Sequence, residues 1–183
     1  LSVERQAAPA SFHLYDREAG AVSPLFSARP ALDAVPLAAM HGCEIAARDG
    51  LTLVSYLSLP PGADTDGDGV PDAPLPLILL VHGGPWGRDT FFFEPYHHWL
   101  ANRGYAVLSV NFRGSTGFGK SFLNAGNLEW GRKMQEDLLD AVDWAIARGV
   151  TTRDAVCIMG GSYGGYAVLV GVPQTPDVFR SAV

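Results

Sequence analysis

The segment Gly160-Gly161-Ser162-Tyr163-Gly164 places one serine among three glycines in the pattern G-x-S-x-G. A serine becomes an effective nucleophile when a sharp turn raises its Oγ above the backbone, and flanking glycines leave room for such a turn. The pattern therefore predicts Ser162 as a nucleophile. A glycine-rich nucleotide-binding turn is the weaker alternative, because Ser162 replaces a glycine of G-x-G-x-x-G and no Walker lysine follows.

Nucleophilic attack on a carbonyl also requires donors for the developing oxyanion. The segment His82-Gly83-Gly84-Pro85 follows an apolar run, and paired glycines let the backbone approach a substrate closely. We predict the backbone N–H groups of Gly84 and Tyr163 as the two donors, supported by the dipole of the helix after Ser162. Taken alone, the segment at His82 is equally explained as a tight turn after a strand.

The general base is not expected among the histidines of this chain. All five of them precede Ser162, whereas the order that accompanies G-x-S-x-G is serine, then acid, then histidine. Asp177, the one acid after Ser162, follows too closely to orient such a base. We predict His82 to orient its loop, and His97 and His98 to be surface or half-buried helix residues. Because the chain starts without Met and stops abruptly, we expect the triad acid and histidine to lie beyond Val183.

An acidic loop between the first strands and the main apolar runs resembles part of a calcium-binding loop. Asp64, Asp66, Asp68 and Asp72 offer oxygens at alternating positions, with Gly69 at the sixth. The twelfth position is Leu75, which cannot supply the bidentate carboxylate that such loops use. A weak calcium site and a solvated acidic turn are therefore both open interpretations.

The elements that must position these residues alternate along the chain. Apolar runs at 75–81, 105–110 and 155–159 are typical of strands covered on both faces. Between them we predict a helix with Trp99 and Leu100 on its inner face, and a longer helix with an apolar stripe from Trp130 to Ile146. A last helix begins at about Tyr166. The alternation predicts an α/β layered domain with a mostly parallel sheet.

The first 39 residues differ from the rest. Segments 12–16 and 22–27 read as a hairpin, and prolines follow it, which predicts a linker before a second domain that spans residues 40–183. Cys43 and Cys157 show no metal-binding spacing, so free thiols are expected.

Composition excludes several classes of protein. With 48% hydrophobic and 17% charged residues the chain is neither disordered nor a coiled coil. A net charge of −6 without a basic stripe argues against nucleic acid as a partner. No apolar run reaches the roughly 18 residues that a membrane span requires.

Three motifs in order give the chain a family resemblance. The segments His82–Pro85, Asn111–Gly119 and Gly160–Tyr166 resemble the catalytic α/β-hydrolase domain of prolyl oligopeptidase family serine peptidases, in particular the acylaminoacyl peptidase-like branch. The resemblance implies a three-layer sandwich preceded by a β-propeller, of which residues 1–39 would be the tail. It also implies peptide hydrolysis on short peptides, with Ser162 as nucleophile, an oxyanion hole at Gly84 and Tyr163, and no required cofactor.

Two alternatives to a peptidase stay open at this point. The nucleophile motif alone does not distinguish amide from ester substrates, so a carboxylesterase or other acyl hydrolase of the same fold is the second hypothesis. A non-catalytic calcium-binding module rests only on the acidic loop. Arg113 is interpreted as a structural residue that joins loops, and the aromatic residues Trp86 and 91–93 as either pocket or packing residues.

Overall fold

A computed structural model describes residues 1–183. A small antiparallel sheet comes first and consists of β1 (Ser2–Val3), β2 (Ser11–Asp16) and β3 (Ala21–Ser27). A 3₁₀ helix, Pro30–Leu32, leads from this sheet into β4 (Met40–Ala46). The predicted hairpin is therefore present as β2 and β3.

The main sheet has six strands in the order β4-β5-β7-β6-β8-β9. It contains β5 (Thr52–Ser58), β6 (Leu77–Val81), β7 (Ala106–Val110), β8 (Val156–Gly160) and β9 (Ser181–Ala182). The first two strands form an antiparallel hairpin, β5 is antiparallel to β7, and the remaining pairs are parallel. The parallel pairs confirm the mostly parallel sheet predicted from the sequence. Apolar strands such as β6 fit this arrangement, because helices can cover both of their faces.

Helices cover both faces of this sheet and give the three-layer sandwich. They are α1 (Pro95–Ala101), α2 (Lys120–Asn124), α3 (Lys133–Ala147) and α4 (Tyr163–Gln174). Leu100 of α1 packs with Ile78 and Val107 on one face, and a cluster of 24 buried residues that includes Leu79 and Leu138 fills the other. None of the four helices is both long and apolar enough to cross a membrane.

Three details of the predicted helices were wrong. Trp99 points outward with 48% of its surface exposed, because Leu100 and Ala101 supply the inner face of α1. Trp130 lies before α3, which begins at Lys133, and it packs against α4 instead of continuing the apolar stripe. The last helix begins at Tyr163, directly after the nucleophile motif.

Candidate active site

Ser162 occupies the turn between β8 and α4, where its backbone adopts φ 57° and ψ −120°. This positive φ is unfavourable for a residue with a side chain and costs on the order of 1–3 kcal/mol. Glycines make the turn feasible, since a Cβ at Gly160 would lie 2.7 Å from the backbone carbon of Gly164, and one at Gly164 would overlap the carbonyl oxygen of Val81. The strained turn leaves Ser162 exposed at the end of the central strands.

The loop after β6 lies against this serine. A Cβ placed on Gly83 would lie 3.3 Å from Ser162 Cβ and 3.8 Å from its Oγ, so a larger residue would crowd the nucleophile. Gly84 has φ +133° and its N–H donates no hydrogen bond within the chain. Tyr163 is the first residue of α4, where an N–H has no partner inside the helix. The two N–H groups named from the sequence therefore have no hydrogen-bond partner within the chain.

His82 holds the glycine loop from beneath. Its Nδ1 donates to the carbonyl of Gly83 at 2.8 Å, and its Nε2 lies 2.9 Å from Ser115 Oγ. The ring stacks on Phe112 with centroids 4.4 Å apart. Burial lowers the pKa of His82, which keeps the imidazole neutral. These contacts agree with the orienting role predicted for His82.

No histidine of the chain hydrogen-bonds to Ser162. His97 and His98, predicted as surface or half-buried helix residues, do lie on α1, but both are buried. His97 bridges Ser58 Oγ and Ser109 Oγ at 2.9 and 2.8 Å, and burial, together with His98, lowers its pKa to about 3. His98 Nε2 donates to the carbonyl of Gln6. The spacing of residues along α1 cannot reveal that the ring of His97 is buried between serines of two strands.

Arg113 follows β7 and joins three parts of the fold. Its Nε and Nη2 donate to Asp137 of α3 at 2.9 and 2.6 Å, and its Nη1 and Nη2 donate to Asp49 in the β4–β5 turn at 2.9 and 3.0 Å. The hydrogen bonds from Arg113 hold the pKa of Asp49 below its usual range. The structural interpretation of Arg113 is confirmed, because its guanidinium is hydrogen-bonded to both carboxylates.

A second anchor of the glycine loop was missed by sequence reasoning. The buried Asn111 accepts a hydrogen bond from the Asp89 N–H at 2.8 Å and donates to the carbonyls of Asp89 and Val54 at 3.3 and 3.0 Å. It thereby fixes the segment that follows the oxyanion loop. Asn111 directly follows an apolar strand, which is the signal that could have identified it.

Near the site, Oδ2 of the Asp89 carboxylate has no hydrogen-bond partner. It borders a cavity of about 450 Å³ that is also lined by Gly83, Glu94 and Gly161. Burial, together with the negative charge of Glu94, raises the pKa of Asp89 to about 7. This carboxyl consequently keeps its proton to a higher pH than an ordinary aspartate does.

The acidic loop brings three of its four aspartates together. One carboxylate oxygen each of Asp64, Asp66 and Asp68 lies within 4.8 Å of the others. Asp72 is not in this cluster, and its Oδ1 accepts hydrogen bonds from the N–H and Oγ1 of Thr65. The carboxylates that form the cluster also accept local backbone N–H bonds, as at Gly67 and Gly69. The donor set suits a hard cation such as calcium, but it is incomplete without further oxygens.

We expect calcium to bind this cluster with a Kd of about 10⁻⁴–10⁻³ M, because no bidentate twelfth ligand is present. Asp66→Asn should abolish the heat measured by calorimetry at millimolar calcium, since it removes one of the three clustered charges. Asp72→Asn is the matched control and should retain most of the heat. Absence of any heat in the unmodified chain would identify the loop as a solvated turn.

The chain is similar to known proteins in both sequence and fold. The sequence profile of the prolyl oligopeptidase family matches residues 91–183. Dipeptidyl aminopeptidase BIII of Pseudoxanthomonas mexicana is 62% identical over 176 residues, which cover 96% of this chain and 26% of that protein. The chain therefore spans about a quarter of the length of this relative.

Solved structures show the same fold. A puromycin-hydrolyzing peptidase of Mycobacterium tuberculosis superposes with a TM-score of 0.81 at 27% identity, over 99% of this chain and 27% of that one. Pyrococcus horikoshii acylaminoacyl peptidase gives a TM-score of 0.80 at 23% identity, over 99% of this chain and 28% of that one. The α/β sandwich predicted from the sequence is thereby confirmed.

Proposed function

The chain belongs to the prolyl oligopeptidase family, and from this premise we propose that it carries the nucleophile and oxyanion hole of a serine peptidase that hydrolyses short peptides. The observation that carries the proposal is the strained backbone of Ser162, at φ 57°, with Gly83 so close that a Cβ added there would lie 3.3 Å from Ser162 Cβ. Strain of this kind persists where a site must present a group in a fixed direction.

In the proposed reaction each of these residues has a defined role. Ser162 Oγ attacks the substrate carbonyl and forms an acyl-enzyme, while the N–H groups of Gly84 and Tyr163 stabilise the oxyanion. His82 positions the loop and does not act as the base, because both of its ring nitrogens have other partners. We propose that residues beyond this chain supply the acid and the histidine, and that residues 1–39 are the end of a β-propeller.

The relative at 62% identity is named as a dipeptidyl aminopeptidase. This name supports peptides over esters as substrates, and a carboxylesterase is the alternative that kinetics must exclude. We propose no cofactor for the reaction, since the proposed groups supply nucleophile and oxyanion stabilisation without one. Comparing kcat/KM for a peptide and for an ester with the same acyl group distinguishes the two hypotheses.

A fluorophosphonate should label Ser162 in the full-length protein but not in the polypeptide 1–183 alone. Without a histidine at hydrogen-bond distance, the Ser162 hydroxyl keeps its high pKa and reacts slowly. Mass spectrometry of the labelled peptide gives the measurement, and Ser162→Ala provides the control in both proteins. Labelling and peptide hydrolysis by polypeptide 1–183 would contradict the proposed absence of the base.

A further inference from the structure

A small cavity lies between α1 and the linker that joins β3 to β4. Its volume is about 290 Å³, and its apolar wall includes Leu32, Val35 and Pro36 of the linker and Phe93 and Trp99 at α1. This volume is at the small end of the range for ligand pockets, so the cavity suits a compact molecule. None of the proposed catalytic groups borders it. The linker cavity is therefore separate from the candidate active site.

One buried polar atom of a residue in the cavity wall has no partner. His98 borders the cavity and is only 6% exposed. Its Nε2 donates to the carbonyl of Gln6 at 3.0 Å, so in the neutral ring Nε2 carries the proton and Nδ1 is an acceptor. This Nδ1 has no hydrogen-bond partner in the chain. Because buried polar atoms are nearly always paired, the unpaired acceptor indicates a ligand that brings a hydrogen.

The charged residues in the wall of the linker cavity are both cationic. They are Arg29, at the start of the linker, and Arg103, just after α1, and no acidic residue borders the cavity. Neither guanidinium forms an ion pair within the chain. Arg103 Nη1 donates to the carbonyl of Trp99 at 3.0 Å, and its guanidinium lies 5.0 Å from the centroid of the Trp99 ring. Two unpaired cations beside an apolar wall are complementary to an anion with an apolar body.

We propose that the linker cavity binds a small apolar carboxylic acid. Its apolar body contacts the linker and Trp99, and its carboxyl group contacts Arg29, Arg103 and Nδ1 of His98. A carboxylic acid meets both requirements of the wall, because it brings a hydrogen for the unpaired acceptor and negative charge for the guanidinium groups. One proton lies between a carboxyl oxygen and Nδ1, and its transfer to Nδ1 leaves a carboxylate beside an imidazolium. This site goes beyond the proposed peptidase activity and does not depend on it.

The first test uses two probes that differ only in the polar group. Isothermal titration calorimetry of the full-length protein with phenylbutyrate should give a Kd of about 1 mM, as expected for a ligand of this size. Phenylbutanol has the same apolar body and also brings a hydrogen, but it carries no charge. It should bind about 10-fold more weakly, because charge-assisted hydrogen bonds are the stronger ones.

Three arginine variants locate the binding site. Arg29→Gln and Arg103→Gln should each weaken phenylbutyrate binding about 5-fold and leave phenylbutanol binding unchanged, since each removes one exposed cation. Arg17→Gln is the matched control, because Arg17 is an exposed arginine in the turn between β2 and β3, outside the cavity wall. It should leave the affinity for both probes unchanged.

The role of His98 is tested without substitution, because its buried ring stacks on Phe93 with centroids 4.6 Å apart and a variant would disturb that packing. In full-length protein with isotope-labelled histidine, phenylbutyrate should shift the NMR signal of one unprotonated Nδ1 towards the position of a protonated nitrogen. Hydrogen exchange should also slow at residues 29–36, because the ligand joins the linker to α1.

Several results would overturn the proposal. They are absence of heat with phenylbutyrate, equal affinity for the two probes, and unchanged affinity in both Arg29→Gln and Arg103→Gln. A cavity that another part of the full-length protein fills would give the first of these results and would equally refute the site. Binding without a shift of any Nδ1 signal would show that His98 does not contact the acid. Fluorophosphonate labelling of Ser162 should be the same with and without phenylbutyrate, so each outcome is independent of the peptidase proposal.

Discussion

Ser162→Ala should lower peptide turnover about 10³-fold or more in the full-length protein while leaving the melting temperature unchanged. The loss is this large because the oxyanion hole and substrate binding alone retain only residual catalysis. The fold should tolerate the change, because Ser162 Oγ makes no hydrogen bond in the chain and alanine keeps the Cβ that Gly83 accommodates. Steady-state kinetics and thermal unfolding measure the two effects.

A second serine variant tests whether the loss of activity is specific to Ser162. Ser121 is exposed on α2, and Ser121→Ala removes an equivalent hydroxyl away from the turn at Ser162. This variant should have the kcat and fluorophosphonate labelling of the unmodified protein. Near-normal kcat in Ser162→Ala would refute the nucleophile assignment and, with it, the proposed mechanism.

The sequence predicted the central strands and the layer order because their residues obey one simple rule. Strands β6, β7 and β8 are nearly continuous apolar runs, and such runs fit only the interior of a sheet covered on both faces. The boundaries of α3 and α4 were less accurate, since Trp130 fits a helical stripe by spacing but is placed by its packing on Tyr163 and Tyr166. Spacing alone does not contain that tertiary contact.

The site was predictable to the extent that glycines reveal backbone geometry. Gly160 and Gly164 permit the turn at Ser162, so the motif itself encodes the close approach of backbone segments. Asn111 and the buried pairing of His97 with Ser58 and Ser109 were not predictable in the same way. Their partners lie on strands that are distant in sequence, and a single polar residue carries no periodic signal.

The second large expected effect concerns the ion pair between Arg113 and Asp137. Asp137→Asn should destabilise the main domain by about 3–5 kcal/mol, because it leaves the guanidinium of Arg113 buried without its fully buried partner. The backbone N–H of Arg113 also donates to Asp137 at 2.8 Å, so the loop after β7 loses a further constraint. Urea unfolding of the full-length protein, followed by hydrogen exchange at residues 113–115, measures both consequences.

Three aspartate–arginine pairs allow this effect to be assigned to burial. Asp49, with 35% of its side chain exposed, contacts the same arginine, and Asp49→Asn should cost only about 1 kcal/mol. Asp143, with 63% exposed, pairs with Arg153, and Asp143→Asn should have no measurable effect. Equal losses in all three variants would show that charge alone, and not burial, determines the stability of this region.

The Asp137 variant should also slow fluorophosphonate labelling of Ser162, through a short physical path. Arg113 directly follows Phe112, whose ring stacks on His82 and packs near Tyr163 at 5.3 Å. Release of Arg113 from α3 therefore loosens the packing beneath both proposed oxyanion donors. Labelling that keeps its full rate in folded Asp137→Asn protein would show that the oxyanion loop is positioned by His82 and Ser115 without help from the ion pair.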